Sequence, residues 1–203
     1  LKGIKTPDER FPGAVDTYTI EAMMLDKKAL QAGTSHFLGQ NFAKASDIKF
    51  LNKEGEQVFA WTTSWGVTTR LIGGLIMTHS DNNGLALPPR IAPRQIVLLP
   101  IYKKENDKTQ VLNSLKKIQN KLKEESFRGD KISVHIDQRD LRGGEKMWES
   151  YKGGVPIICE LGPRDLASNQ VCIRRRDHPP EEKEFLSVDE FIKSAPSILE
   201  DIQ

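Results

Sequence analysis

Two short runs hold the side chains best suited to gripping a small polar ligand. The first is Gln31-Ala32-Gly33-Thr34-Ser35-His36-Phe37-Leu38-Gly39-Gln40-Asn41-Phe42 and the second is Thr63-Ser64-Trp65-Gly66-Val67-Thr68-Thr69-Arg70. Together they offer hydroxyls, amides, an imidazole and a guanidinium, donors and acceptors of fixed identity. Their glycines let the backbone turn sharply or come close to a ligand. This is binding chemistry rather than nucleophilic catalysis, because neither Ser35 nor Ser64 sits in the glycine-flanked elbow that exposes a nucleophilic serine. His36 reads in two ways, as a histidine satisfied inside the fold or as a ligand contact, and the neighbouring hydroxyls favour the second. Arg70 reads as a surface ion-pair partner or as a flat, permanently charged fork for a base or a phosphate. Thr68, two residues earlier in an apparent strand, shares its face, which favours the fork.

The elements that must position these groups change character along the chain. In the first part, Thr17 to Leu25 reads as a strand or amphipathic segment, and Asp47 to Asn52 as a strand leading into the turn Lys53-Glu54-Gly55-Glu56. Val58 to Thr69 reads as one further strand and Leu71 to His79 as a helix, whose Leu71, Ile72, Leu75, Ile76 and His79 predict a buried face. The prolines of Leu87-Pro88-Pro89-Arg90-Ile91-Ala92-Pro93 favour extended connecting backbone and mark a boundary, giving domains 1–93 and 94–203.

The second part alternates cleanly. Gln95 to Ile101, Lys131 to Asp137, Val155 to Leu161 and Gln170 to Arg175 read as strands. Thr109 to Ser126 reads as a helix with Val111, Leu115, Ile118 and Leu122 on its apolar face. Gly144 to Lys152 reads as a short helix, and Ser187 with Glu190 opens a last one in a capping-box pattern. Strands alternating with helices predict helices packed on a mixed, mostly parallel sheet.

Composition narrows the functional classes. A net charge of +2 excludes any bulk electrostatic case for nucleic acid, so such a case must rest on local patches. Two patches stand out: Arg174-Arg175-Arg176, and the loop Gln138-Arg139-Asp140-Leu141-Arg142-Gly143-Gly144. Each is solvated charge or a meeting place for a phosphate backbone or unstacked bases. Lys116, Lys117, Lys121 and Lys123 read as the wet face of their helix. Cys159 and Cys172 lie in apolar runs and read as reduced thiols in a cytosolic protein. No metal-ligand spacing and no P-loop occur, so no metal site is expected. The start at Leu1 reads as a chain that begins within a longer protein.

Taken together these residues resemble the prolyl-tRNA synthetases of the archaeal/eukaryotic-like type, which are class II aminoacyl-tRNA synthetases. The likeness runs through Lys5-Thr6 to Phe11, Thr17 to Ala22, Ala29 to His36, Leu38 to Phe42 and Thr63 to Arg70. It continues in Met77-Thr78-His79, Asp81, Gly84-Leu85 to Pro88-Pro89-Arg90, Gly153-Gly154-Val155-Pro156 and Glu160-Leu161-Gly162-Pro163-Arg164-Asp165. It implies an α+β and α/β chain: the distal part of a class II antiparallel-sheet catalytic domain carrying motif 3, then a mixed-sheet α/β anticodon-binding domain.

By the same resemblance Gln31, Thr34 and Arg70 contact ATP, and His36, Thr68 and Trp65 contact proline, with Trp65 or Phe42 as the apolar wall. Glu160, Arg164, Asp165 and Arg142 face the anticodon of tRNA(Pro). Magnesium accompanies ATP without a protein site, the parent protein is a homodimer, and the setting is cytoplasmic. Motifs 1 and 2 and the C-terminal zinc-binding domain have no counterpart, which implies a chain inactive on its own. The competing expectation is a non-catalytic tRNA-binding module. Ile158 stands where the family places an arginine.

Overall fold

A computed structural model describes all residues, Leu1–Gln203, and they divide into two units, Leu1–Thr78 and His79–Gln203. In the first, strands β1 (Lys2–Ile4), β2 (Asp16–Met23) and β3 (Ala29–Gly39) precede the short helix α1 (Asn41–Ala45). Strands β4 (Lys49–Leu51), β5 (Gln57–Phe59) and β6 (Thr62–Gly66) follow, and helix α2 (Arg70–Thr78) closes the unit. β1, β2, β3 and β6 form one antiparallel sheet in that order. β4 and β5 form a separate hairpin, tightened where the Asn52 carboxamide oxygen accepts from the backbone of Glu54 and Glu56.

The ligand-gripping run Gln31 to Gly39 makes up most of the long central strand β3. Two expectations about the neighbouring elements are corrected here. The strand expected over Val58 to Thr69 is two strands broken at Ala60-Trp61, because one half pairs with β4 and the other with β3. It also ends at Gly66, so the period-two argument linking Thr68 to Arg70 does not apply; Thr68 instead lies two residues before α2, its hydroxyl accepting from the Arg70 amide at 3.3 Å. The apolar side of α2 is not buried within its unit. The helix meets the sheet at Gly74, where an added Cβ would lie 2.7 Å from Leu30, while Leu71, Ile72 and Ile76 remain exposed.

The second unit opens with the small hairpin β7 (Ser80–Asp81) and β8 (Gly84–Leu85), followed by β9 (Ile96–Pro100) and α3 (Glu105–Leu122). A hairpin of β10 (Ser126–Phe127) and β11 (Asp130–Lys131) leads to β12 (Val134–Ile136) and α4 (Gly143–Lys152). Then come β13 (Ile157–Leu161), α5 (Pro163–Ala167), β14 (Gln170–Arg175), β15 (Glu184–Ser187) and α6 (Val188–Ile202). The sheet order is β12-β9-β13-β14-β15, parallel among the first three and antiparallel beyond. It is therefore mixed, and less parallel than the alternation suggested, because β14 and β15 return without a long crossover.

Burial follows the spacing of apolar residues. Val111, Leu115, Ile118 and Leu122 of α3 and Phe191, Ala195, Ile198 and Leu199 of α6 pack with Ile96, Leu98, Ile157 and Ile173 on one sheet face. On the other face α4 covers Val97, Leu99 and Ile158 through Tyr151 and Met147. α3 begins at Glu105 rather than Thr109, where Glu105 and Asp107 suit the positive end of the helix dipole. It ends at Leu122, before Ser126 enters its own hairpin, so the strand expected over Lys131 to Asp137 splits into β11 and β12. Ser187 caps α6 as expected, its hydroxyl accepting from the Glu190 amide.

The compact second unit begins well before the expected boundary at residues 93 and 94. Arg176 is the cause. Its guanidinium donates to both oxygens of Asp81 at 2.9 and 2.7 Å and to the carbonyls of Leu85 and Gly84, and it lies 4.3 Å over the Tyr151 ring. That holds the β7–β8 hairpin against α4 so closely that only glycine fits at 84, where an added Cβ would be 2.5 Å from the Lys152 carbonyl.

Candidate functional site

In the first unit the central strand carries the site. Gln31, Thr34 and His36 cannot share a face by period-two alternation, since one is odd-numbered and the others even. A β-bulge resolves this: Ile20 pairs with Gly33 but Glu21 pairs with Gln31, leaving Ala32 as the extra residue. Gln31, Thr34 and His36 thereby line one sheet face with Thr17, Thr19, Glu21 and Ser64. Lys5 joins them, its ammonium donating to the Gln31 side chain at 3.0 Å, and Arg70 reaches the Gln31 carbonyl at 3.4 Å.

The His36 ring is held on both sides, Nδ1 lying 3.0 Å from the hydroxyl of the fully buried Thr17 and Nε2 3.1 Å from that of Thr34. Both earlier readings of this histidine meet here, since it is satisfied within the fold and fixed on a polar face. Phe11 packs its ring 4.8 Å from the imidazole. The structure thus unites Gln31, Thr34, His36 and Arg70. It does not unite Trp65 with them. Trp65 pairs with Ser35, whereas His36 pairs with Ser64, so the indole stands on the opposite sheet face and is 78% exposed. There it lines an apolar cavity of about 560 Å³ with Tyr18, Ile20 and Val67. Phe42 stacks on Phe11 at 6.2 Å and backs the His36 side. Sequence reasoning missed Lys5, Thr17 and Phe11 because nothing local ties them to β3; only strand pairing does.

In the second unit, Arg142, Glu160, Arg164 and Asp165 gather at the carboxyl ends of the parallel strands, where open α/β sheets bind ligands. Arg142 precedes α4 and is exposed. Asp165 is partly committed, capping its own helix by accepting from the Gly162 amide at 2.8 Å. Glu160 lies 3.5 Å from Arg174. Of the loop's basic residues, Arg139 is occupied: it forms a two-pronged bond to the buried Asp137 and an ion pair with Glu149. That bond holds the Asp137 carboxyl below its ordinary range. These three line a polar cavity of about 490 Å³ with Arg94 and His135, and burial, aided by Arg94, pushes the His135 imidazole below its usual pKa. Cys159 is buried and its thiol is pushed well up by desolvation, so it is inert as a nucleophile.

Comparisons with known proteins point to one family. The Anticodon binding domain family matches residues 95–197, which takes in the whole mixed sheet. Over its whole length the chain is 58% identical to a "Proline--tRNA ligase" of Bdellovibrio bacteriovorus, of which it spans 41%. It is 52% identical to the protein of that name in Akkermansia muciniphila and 55% identical to that in Protochlamydia amoebophila, spanning 40% of each. The chain therefore spans well under half the length of these curated relatives. With an anticodon-binding domain built on its mixed sheet, the chain belongs to the prolyl-tRNA synthetase family.

Proposed function

We propose that this chain serves ATP-dependent charging of tRNA(Pro) with proline, its first unit being part of a class II catalytic domain and its second holding the anticodon arm. The convergence of Gln31, Thr34 and His36 on one sheet face, with Arg70 in reach of the Gln31 carbonyl, supports this most directly. Lys5 and Arg70 suit phosphate oxygens and the flat guanidinium suits a base, so Gln31, Thr34 and Arg70 are assigned to ATP. His36 and Thr68 are assigned to proline, whose ring has no polar tip and needs an apolar wall. Phe11, packed on His36, supplies that wall in place of Trp65.

The reaction is attack of the proline carboxylate on the α-phosphate, giving prolyl-adenylate and pyrophosphate, followed by transfer to the terminal ribose of the tRNA. Such chemistry rests on positioning and charge stabilisation, which the fixed imidazole and guanidinium provide without a protein nucleophile. Magnesium would travel with the nucleotide and offset the charge of its phosphates. A homodimeric parent and a cytoplasmic setting fit this role. No helix is long and apolar enough to cross a membrane.

Titration of the chain with tRNA(Pro) and with a non-cognate tRNA at rising salt tests the reading. Preferential binding of tRNA(Pro) that weakens steeply with salt is expected; salt-insensitive or indiscriminate binding overturns it. A second reading, a tRNA-binding module without catalysis, is favoured by the confinement of both buried hydrophobic clusters to the second unit. Proline-dependent ATP–pyrophosphate exchange separates the two in a full-length relative: His36→Ala and Arg70→Ala there abolish exchange if the first reading holds.

A further inference from the structure

Among the polar and charged residues of Leu1–Thr78, Thr17 alone is buried, at 0% exposure. Its hydroxyl has two neighbours within hydrogen-bond reach, the Phe11 amide nitrogen at 3.2 Å and His36 Nδ1 at 3.0 Å. The Phe11 amide can only donate, so the Thr17 oxygen accepts from it. The Thr17 hydroxyl proton then has one acceptor left, the lone pair of Nδ1. A proton on Nδ1 would make both neighbours donors. It would strand the hydroxyl proton where water does not reach, leaving a buried donor unsatisfied. The imidazole therefore carries its proton on Nε2, the tautomer being set by the bond that the other nitrogen makes.

That proton fixes the next link. Nε2 lies 3.1 Å from the Thr34 hydroxyl, so Nε2–H donates and Thr34 Oγ1 accepts. The Thr34 proton is thereby excluded from the imidazole, and no other protein acceptor lies within its reach. Thr34 is only half-buried, so its proton is available to a ligand on the polar face. Both nitrogens of His36 are engaged. What remains for a ligand to meet is the ring itself, with Phe11 packed 4.8 Å from it.

We infer that Thr17 is a positioning residue for both substrates, acting through a relay of hydrogen bonds. Phe11 N–H donates to Thr17, Thr17 O–H to His36 Nδ1, and His36 Nε2–H to Thr34, which makes Thr34 an obligate donor to an oxygen of ATP. His36 is a fixed link in this relay and touches proline with its ring rather than through a hydrogen bond. The Thr17 oxygen that sets the imidazole also anchors the amide of Phe11, the wall of the proline site. One hydroxyl thus ties the two substrate contacts together. The inference rests on the reading that Thr34 contacts ATP while His36 and Phe11 contact proline.

Two experiments test it. In the full chain with nitrogen-15 in its four imidazoles, the His36 signals are those that His36→Gln removes. At a pH where imidazole is neutral they should show a proton on Nε2 and a hydrogen-bonded lone pair on Nδ1. Thr17→Val should abolish the shift due to that bond, and Thr17→Ser should keep it. A proton on Nδ1 in the unaltered chain overturns the relay whatever the ligands are.

The second experiment measures KM for ATP and for proline by ATP–pyrophosphate exchange, with the matching substitutions made in a full-length relative. Thr34→Val and Thr17→Val should each raise KM for ATP about tenfold, and Thr17→Ser should stay within about twofold of the unaltered enzyme. The double variant should be no worse than Thr34→Val, because the relay has nothing further to lose. KM for proline should rise with Thr17→Val in either background, since the Phe11 amide loses its acceptor in both. Losses in ATP KM that multiply in the double variant show Thr17 acting otherwise than through Thr34, and overturn the inference while leaving the ATP site standing. An unchanged KM for ATP in Thr34→Val overturns the assignment of Thr34 to ATP and the inference with it.

Discussion

The two units spend their apolar residues in opposite ways. Nineteen of the twenty-three exposed large hydrophobic side chains belong to Leu1–Thr78, whereas both clusters of buried hydrophobic residues lie in His79–Gln203. The second unit is a sheet with a helical layer on each face, each closed by residues from its own helices. The first is a sheet with one face given to polar ligand chemistry and the other lined by Tyr18, Ile20, Trp65 and Val67, none of them covered within the unit. Since apolar burial is the dominant favourable term in folding, the second unit supplies its own stability, and the first is a prepared surface more than a self-sufficient body.

The sharpest test of that contrast is local stability. Native-state amide exchange is expected to be slowest in β9 and β13 and faster in β2 and β3 by orders of magnitude; equal protection in both sheets would break the comparison. Next in size, Leu115→Ala, at a fully buried site in the second unit, should lower unfolding stability by about 3 kcal/mol in a urea titration. Trp65→Ala in the first unit should change it by no more than about 0.5 kcal/mol.

Arg176→Ala should cost about 2 kcal/mol, because it strands two carbonyls and a carboxylate of the β7–β8 hairpin. The pH dependence of that contact has a definite sign. Hydrogen bonding to Arg176 lowers the Asp81 carboxyl from 3.8 to about 2. Its contribution is therefore complete above pH 3.8 and disappears as the pH falls through about 2, which exchange at the Gly84 amide would register. The smallest effect is expected at the exposed Arg128–Glu200 pair, where Arg128→Ala should leave the denaturation midpoint unmoved.

The contrast also explains what could be read from sequence. α3 was legible because Val111, Leu115, Ile118 and Leu122 recur at helical spacing and all of them are buried. α4, β13 and β14 were legible for the same reason: in a unit with a closed core, the apolar pattern and the burial pattern coincide. In the first unit they part company. β3 carries no strand pattern because its glycines, threonines and histidine lack an apolar side, and the residues that reveal its face, such as Thr17 and Lys5, come from other parts of the chain. α2 shows an apolar face that nothing in its unit buries. The β7–β8 hairpin offered no pattern at all, being held by Arg176 from the far end of the chain. The families of contact residues in the second unit were legible as types, but the occupied state of Arg139 appears only once strands and loops are in place.

Ala32, the unpaired residue of the bulge, puts a different kind of constraint on this chain. Its methyl group takes no part in the polar face, and a serine or glycine there would leave the geometry of β3 as it is. What matters is that the extra residue is absorbed. Were Ala32 drawn into regular pairing, strict alternation would send Gln31 to the side of the sheet occupied by Ser35 and Trp65, parting it from Thr34 and His36 without altering one of those residues. Deleting Ala32 would instead leave Gln31 two positions from Thr34 and on the same face. Position 32 is thus indifferent to spelling, and the bulge around it is a parity correction in the strand rather than a letter of its message.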